Sequence, residues 1–595
     1  MTTEFSEEFI ENTKGLLEKN LDLEILNELF KKRTGIKNFF ISYDEIDDFK
    51  SFLDNLEVFN EDCEDLGDFQ TPIHLTNKIC KYLLNQGFSP DIIFEPTVGR
   101  GNFVISAINT FNTLQFIYSV DIQRKYDWLF KLNILKLSNE KEINIVETEF
   151  HRDNIFHHQL SSNFKKFLDT NCKSLLILGN PPWVTNTKLS TLNSKNLPTK
   201  SNIKGLNGID AITGKSNFDI AEFILLSMIN LFSNRECKIA MLCKTSVVKN
   251  LVKDMKRLSL NLSDIKSLVI NSKKEFGINA DAALFVADIG RGEEDFCTVS
   301  SFYDEESDKK IFGWYGDKFV SNLISYKKYK YLDGKSPFEW RNGVKHDSIK
   351  VMVLKKDIPD SLSNGFNETV NIEKGILYPF LKGSNLKKPL IDNALLSVII
   401  TQKSTNEDTS YISSDYPNAW EYLLEHAKYL DNRKSAVYKK RPRFSIFGIG
   451  DYSFKPYKIA IPGFYKNPKF SLILPIDDKP VMLDDTCYYL SFSEFEEAFF
   501  TWILLNKEEV IKFLNSIVFL DSKRPFTKEI LMRLDLTRLV EKTTFEDVLY
   551  IYENRLKFYI SYKFKEEDFI NYKKILSIQM DKIKIDEQIK LKYPS

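Results

Sequence analysis

Asn180, Pro181, Pro182 and Trp183 follow directly on the apolar run Leu175–Gly179, and together they could hold and activate a planar amine. A short apolar run that stops at a polar residue and two prolines reads as a buried parallel strand ended abruptly, because proline donates nothing to a β-ladder and fixes its own φ. The turn then sits at the carboxyl end of a strand, the edge where open α/β sheets bind ligands. There the Asn180 side-chain oxygen and a proline-fixed carbonyl can both accept from one NH2 group, while Trp183 offers a face to a base. An exocyclic amine is a poor nucleophile while its lone pair is delocalised into the ring. Two acceptors drawing on its hydrogens favour the pyramidal nitrogen that attacks a methyl sulfonium, with no strong base required. Asn-Pro-Pro alone is equally an ordinary turn, so the reading depends on its companions.

Those companions lie upstream. Glu95-Pro96-Thr97-Val98-Gly99-Arg100-Gly101-Asn102-Phe103 follows a strand-like Ile92-Ile93-Phe94. Gly99 and Gly101 let the backbone pass close under a ligand before a helix starting near Asn102. Asp121 ends the next strand, where an acid can take two ribose hydroxyls. Glu95 would repel phosphate but suits a cationic amino-acid head. Asp153, after a third strand, could accept from an adenine amine. Phe69-Gln70-Thr71-Pro72 precedes a helix over Leu75–Leu84, with Thr71 or Pro72 opening it, and Thr71 as a plain N-cap is the simplest account of that motif. A ligand with a cationic amino-acid end, a ribose and an adenine is required, and S-adenosylmethionine has all three. Thr71, Glu95, Pro96, Gly99, Gly101, Asp121, Asp153 and Asn180 are the candidate cofactor contacts.

The elements that must position these residues alternate. Strands are expected at 92–94, 116–120, 143–146, 175–178, 238–242, 267–270 and 282–286, with helices between most of them, including 221–232. This is a doubly wound α/β pattern. Four regions are expected: an acidic helical extension over 1–66, a catalytic domain over 67–294, a mixed α+β target-recognition domain over 295–540 and a C-terminal helical segment over 541–595. Residues 185–217, rich in Asn, Ser, Thr, Lys and Gly, read as a long functional loop leaving the Asn-Pro-Pro-Trp turn.

At 595 residues the chain exceeds one ordinary core. It carries no apolar run long enough for a membrane span and an N-terminus too acidic for a signal peptide, so a cytoplasmic protein without membrane contact is expected. Seven scattered cysteines suggest reduced thiols. His151, His157 and His158 cluster near Asp153 without a recognised zinc spacing, and no metal site is expected. Net charge is -1, but residues 433–469 interleave Lys439, Lys440, Arg441, Arg443, Lys458 and other bases with Tyr438, Phe444, Phe447 and Tyr452 against the single acid Asp451. Bases for phosphates among stacking side chains suit a nucleic-acid surface, with Lys439, Lys440, Arg441 and Arg443 as its centre. A solvated lysine-rich face is the plain alternative.

Gln70-Thr71-Pro72, Glu95-Pro96-x-x-Gly99-x-Gly101-x-Phe103, Asp121, Asp153 and Asn180-Pro181-Pro182-Trp183, in that order and ahead of a large C-terminal region, resemble the gamma group of DNA adenine-N6 methyltransferases of restriction-modification systems. The resemblance spans roughly 66–290. It implies a Rossmann-like catalytic domain that binds S-adenosylmethionine, double-stranded DNA as partner, and a separate restriction endonuclease recognising the same site. It further implies that a flipped adenine is held between Trp183 and a second aromatic, for which Phe276 in Lys274-Glu275-Phe276-Gly277 is the candidate. Two departures stand out: tryptophan where tyrosine or phenylalanine is commoner, and Lys244 where relatives often carry proline. The same turn would also serve cytosine N4, an RNA base or a protein glutamine. An inert methyltransferase fold that only binds DNA is the reading from another class.

Overall fold

The computed structural model describes residues 5–18, 21–56, 69–140, 145–170, 173–184, 219–304, 306–358 and 361–592. The expected 185–217 loop lies outside the described residues. Two compact units divide the chain, Met1–Phe319 and Val320–Ser595.

In the first unit, ten strands form one sheet: β1 (Ile92–Glu95), β2 (Phe116–Asp121), β3 (Glu147–Arg152), β4 (Leu175–Gly179), β5 (Cys237–Lys244), β6 (Leu262–Ile270), β7 (Ala282–Ile289), β8 (Phe296–Ser301), β9 (Lys310–Tyr315) and β10 (Lys318–Val320). Their order is β10-β9-β8-β6-β7-β5-β4-β1-β2-β3. Strands β3, β2, β1, β4 and β5 run parallel, while β7 is antiparallel to both β5 and β6. Chain order reverses between β1 and β4, so the carboxyl ends of β1, β2 and β4 face one crevice, where a doubly wound sheet binds its ligand. Both β1 and β4 are buried along their whole length, as strands flanked on both sides and covered on both faces must be.

Helices α1 (Glu7–Leu17), α2 (Leu23–Thr34) and α3 (Tyr43–Asp54) come first. Helices α4 (Ile73–Asn85), α5 (Asn102–Thr110), α6 (Arg124–Glu140), α7 (Ser162–Asp169), α8 (Ile220–Leu231), α9 (Thr245–Leu258) and the short α10 (Ser272–Phe276) connect the strands.

Several boundaries differ from expectation: β6 begins at Leu262, not 267, and β7 runs to Ile289, not 286. The third strand is 147–152, not 143–146. It is the last strand of the sheet and only partly buried, so it carries no apolar run and the nearby apolar Ile143–Val146 stretch misleads. The sheet also continues through β8, β9 and β10, so the first unit extends past 294 to Phe319. These strands are partly exposed and carry no long apolar run.

The N-terminal helices are built into this unit. Phe39, Phe40 and Phe49 are buried and gather around Trp128 of α6, with Phe49 at 5.0 Å. Asp48 accepts from the Trp128 indole at 2.8 Å and pairs with Arg124 at 2.6 Å. Buried Lys131 donates to the Phe39 carbonyl at 2.6 Å and pairs with Asp127 at 2.8 Å, so this charge is both neutralised and hydrogen-bonded. Ile36 bridges Thr148 in parallel, covering the edge of β3.

The second unit carries two five-stranded sheets. One has the order β11-β20-β17-β18-β15 and the other β13-β12-β16-β14-β19, where β11 is Arg341–Asn342, β12 Val353–Ile358, β13 Ser361–Ser363, β14 Leu377–Leu381, β15 Leu390–Ile391, β16 Leu396–Ile399, β17 Tyr457–Pro462, β18 Ser471–Ile473, β19 Met482–Leu483 and β20 Cys487–Phe492. A helix over Phe495–Leu505, buried from Ala498 onward, packs against the terminal helix Glu566–Lys592. Tyr572 packs near Phe500 and shares a 2.8 Å hydrogen bond with Thr501. Among the described residues no helix is long and apolar enough to cross a membrane.

Truncating Phe49, fully buried against Trp128, tests whether the N-terminal helices are part of this unit's core. Phe49→Ala should cost about 3–5 kcal/mol in denaturant unfolding, the usual penalty for such a cavity. An unchanged unfolding midpoint would show that the extension folds separately.

Candidate active site

The carboxyl ends of β1, β2 and β4 meet in one cleft, lined by Thr71, Glu95, Pro96, Gly99, Asp121, Asp153, Asn180 and Pro182 among others. Residues far apart in sequence are therefore gathered as expected.

Asn180 follows β4 directly. Its Nδ2 donates to the Phe69 carbonyl at 2.9 Å, while Oδ1 is buried without a partner. The donor is thus committed and the acceptor is left free, the orientation needed to receive an amine hydrogen.

Two further bonds tie the Phe69–Pro72 segment to the turn after β1. Gln70 Oε1 accepts from Arg100 N–H at 3.0 Å, and Asn102 Nδ2 donates to the Thr71 carbonyl at 2.8 Å. Thr71 does not cap α4: the cap position is Pro72, and the helix opens at Ile73. Gly99 has φ +53°, and a Cβ there would meet Gln70 Oε1 at 2.5 Å. Only glycine accommodates both that conformation and that approach. Phe69, Gln70 and Asn102 were missed as site residues, since a carbonyl or amide reaching across the chain has no local signature.

Asp121 ends β2 with both carboxylate oxygens engaged by backbone N–H groups, Gly99 and Gln123, each at 2.9 Å. Glu95 is 1% exposed, and its Oε2 is buried without a partner. Burial pushes its carboxyl well above the usual range, and the nearby Asp121 charge pushes it further. A ligand cation would supply the missing partner.

Asp153 accepts from Asn154 N–H at 2.7 Å and bonds His158 Nδ1 at 2.8 Å. Burial works to raise its carboxyl, but the His158 bond and the Asn154 N–H hold it below the usual range. His158 Nε2 in turn meets the Tyr118 hydroxyl at 2.6 Å. With Nδ1–H facing the carboxylate, Nε2 accepts from Tyr118. The histidine cluster thus supports Asp153. Among the described residues no group of three or more His, Cys, Asp or Glu could hold a metal ion.

Trp183 and Phe276 are brought together, but not as a slot. Their rings meet edge to face, 5.3 Å between centroids at 70°, and Trp183 is 7% exposed with its indole Nε1 buried and unpartnered. The pair as it stands leaves no gap between the two rings for a base. The neighbouring Glu275 is anchored: its buried carboxylate meets His74 Nε2 at 2.6 Å and accepts from the Tyr303 hydroxyl at 2.8 Å.

In the second unit the basic stretch divides. Arg433 turns inward, donating to the carbonyls of Leu430, His346 and Ser445 and stacking 3.7 Å from the Tyr438 ring. Lys458 is 1% exposed and donates to the Lys455 carbonyl at 2.8 Å, its pKa lowered by burial to about 7. Phe444 is core. The interleaved aromatics thus largely serve packing. Lys439, Lys440, Arg441 and Arg443 remain exposed, with Arg443 paired to Asp431 at 3.0 Å.

No family model matches the chain. Type II methyltransferase M.NspV of Nostoc sp. is 39% identical over 479 residues, covering 80% of this chain and 97% of the relative. Among solved structures, the type IIL restriction-modification enzyme MmeI in complex with DNA is 12% identical, covers 93% of this chain and 74% of its own, and has a TM-score of 0.44. The type I restriction enzyme EcoKI M protein is 9% identical, covers 49% and 64%, and has a TM-score of 0.27.

Glu95 makes the cleft's electrostatics measurable. Its folded pKa lies above the ordinary 4.5, so the group is harmless while protonated and costs stability as pH rises above that value, where the unfolded chain releases its proton freely. Glu95→Gln should remove this dependence, raising the denaturant midpoint of the ligand-free protein at neutral pH and flattening its decline from pH 4.5 upward. Parallel profiles for the two proteins would refute the buried, unpaired carboxyl.

Proposed function

The chain belongs to the type II methyltransferases of restriction-modification systems, DNA methyltransferases that use S-adenosylmethionine, and we propose that it methylates the exocyclic N6 amine of an adenine turned out of duplex DNA at a specific sequence. The observation that carries this reading is the buried, partnerless Asn180 Oδ1 on an amide whose other end is held by Phe69.

The residues present fit the cofactor. Glu95 has a buried oxygen lacking a partner, which suits an ammonium. A carboxylate such as Asp121, which closes β2 beside Gly99, suits ribose hydroxyls, Asp153 suits an adenine amine, and Thr71 and Pro96 line the same cleft; Gly101 is not part of that lining, and a Cβ there would meet Phe130. When bound, S-adenosylmethionine supplies a methyl group on an electrophilic sulfonium.

The chain's own work is on the amine. Asn180 Oδ1 accepts one N6 hydrogen and a carbonyl of the Pro181-Pro182 turn the other, localising the nitrogen lone pair for attack. Trp183 stacks on the extruded base, with Phe276 displaced to its other face. The proton lost after transfer goes to solvent, since the methylated ammonium is strongly acidic and needs no side-chain base. The second unit reads the flanking sequence, with Lys439, Lys440, Arg441 and Arg443 on phosphates, and a separate endonuclease cuts the unmodified site.

Labelled cofactor and unmodified duplex DNA test the chemistry. Wild type should deposit label recovered as N6-methyladenine, and Asn180→Ala should lower kcat on the order of 10²–10³-fold, the usual loss for one preorganised hydrogen-bonding group. Recovery as N4-methylcytosine would overturn the choice of base.

Replacing Lys439, Lys440 and Arg441 together by alanine should flatten the plot of log affinity for DNA against log salt by about 0.9 for each phosphate these side chains neutralise. An unchanged slope would remove this ridge from the DNA surface.

A further inference from the structure

The side chain of Lys244 ties three elements together. At the end of β5 its Nζ donates to the Trp183 carbonyl at 3.0 Å and pairs with Asp219 Oδ2 at 2.7 Å. The other Asp219 oxygen accepts from Ala221 N–H at 3.0 Å, capping α8. Ile220 N–H donates to the Val184 carbonyl at 2.9 Å. One ammonium and one carboxylate therefore join the last residue of the Asn-Pro-Pro-Trp turn, the start of α8 and the end of β5.

This pair differs from an ordinary surface bridge. The side chains are 28% and 11% exposed, so water screens them little and the geometry is held by hydrogen bonds at both ends. Strand β5 is paired with β7 along its whole length, from Cys237 opposite Ile289 to Lys244 opposite Ala282. The ammonium thus reaches Trp183 from a stiff support. Proline fixes φ at Pro181 and Pro182, but nothing in the ring chemistry fixes the Trp183 peptide plane. The Lys244 bond to its carbonyl supplies that restraint, and with it the direction of the Cα–Cβ bond that carries the indole.

We propose that Lys244, held by Asp219, is a positioning residue that sets the plane Trp183 presents to the target base. The proposal rests on the adenine-methylation reading above. A side chain of similar length without a donor would fill the same space and leave the Trp183 carbonyl unrestrained. The charge on Asp219 in turn keeps the ammonium aimed, because a lysine stem has four rotatable bonds and its head would otherwise seek water.

The test uses the full chain and the variants Lys244→Met, Asp219→Asn, the double variant and Lys244→Arg. Methyl transfer to unmodified genomic DNA supplies kcat and KM, and calorimetry supplies the S-adenosylmethionine Kd. Lys244→Met and Asp219→Asn should each lose on the order of tenfold to a hundredfold in kcat while the cofactor Kd stays within about twofold, the pattern of a misplaced reacting group. The double variant should be no worse than the worse single one, as expected for two members of one unit, and Lys244→Arg should recover most of the rate. Lys244→Met and Asp219→Asn as fast as wild type, or losses that multiply in the double variant, overturn the proposal while the methylation reading stands. Loss of cofactor binding in step with kcat also overturns it, because the pair would then hold the fold and not the turn. A wild type that leaves DNA unlabelled overturns the reading and the proposal with it.

Discussion

The hydrogen bond from Asn180 Nδ2 to the Phe69 carbonyl is the constraint on which the site depends. An asparagine amide can exchange its oxygen and nitrogen by rotating about one bond, and the two orientations are opposite in chemistry. A net bond of about 1 kcal/mol would bias that rotation roughly fivefold, and the reversed orientation would set Oδ1 against another oxygen. The orientation is therefore decided by where Phe69 lies, and Phe69 lies where Gln70 and Thr71 are tied to Arg100 and Asn102. The glycine turn after β1 and the Asn-Pro-Pro-Trp turn after β4 thus share one set of supports. A disturbance of either is felt by the other.

The site also holds groups that would be poor choices for stability alone. Glu95 is buried beside Asp121 with an oxygen unsatisfied, and Asn180 Oδ1 and the Trp183 indole nitrogen are likewise without partners. Buried polar groups left unpaired cost on the order of 1–3 kcal/mol each. Their concentration at one edge of a sheet whose centre is otherwise apolar is the pattern of a site shaped for ligands. The N-terminal helices support the same edge indirectly, since they pack on α6, and α6 follows Asp121 and Gln123 within a few residues.

Much of the fold was legible because the central strands are apolar runs and their order could be read from helices between them. Strands β1, β2, β4, β5 and β7 appear where the runs are, since a strand covered on both faces has no choice but to be apolar. The reading failed where that condition lapses. Strand β3 sits at the sheet edge with one side of its ladder toward Ile36, and β8 to β10 are partly exposed, so neither shows an uninterrupted run. The basic stretch misled for a related reason. Alternating bases and aromatics describe a nucleic-acid surface, but they equally describe a chain that buries its rings, and Arg433, Phe444 and Lys458 went inward with them.

By itself the sequence determined that Glu95, Asp121 and Asn180 stand at strand ends, since each closes or follows an apolar run set by neighbours in the chain, whereas Asp153 follows β3, whose place the sequence missed. Tertiary structure alone decided what those residues can do. The free face of the Asn180 amide depends on Phe69, the buried state of Glu95 on the strands either side of β1, the edge-to-face closure of Trp183 on α10, and the restraint of its carbonyl on Lys244 and Asp219. Each of these partners is remote in the chain and close in space, so no local pattern encodes the pairing. Only the packing of one mixed sheet, whose parallel strands reverse their order between β1 and β4, brings them to the same edge.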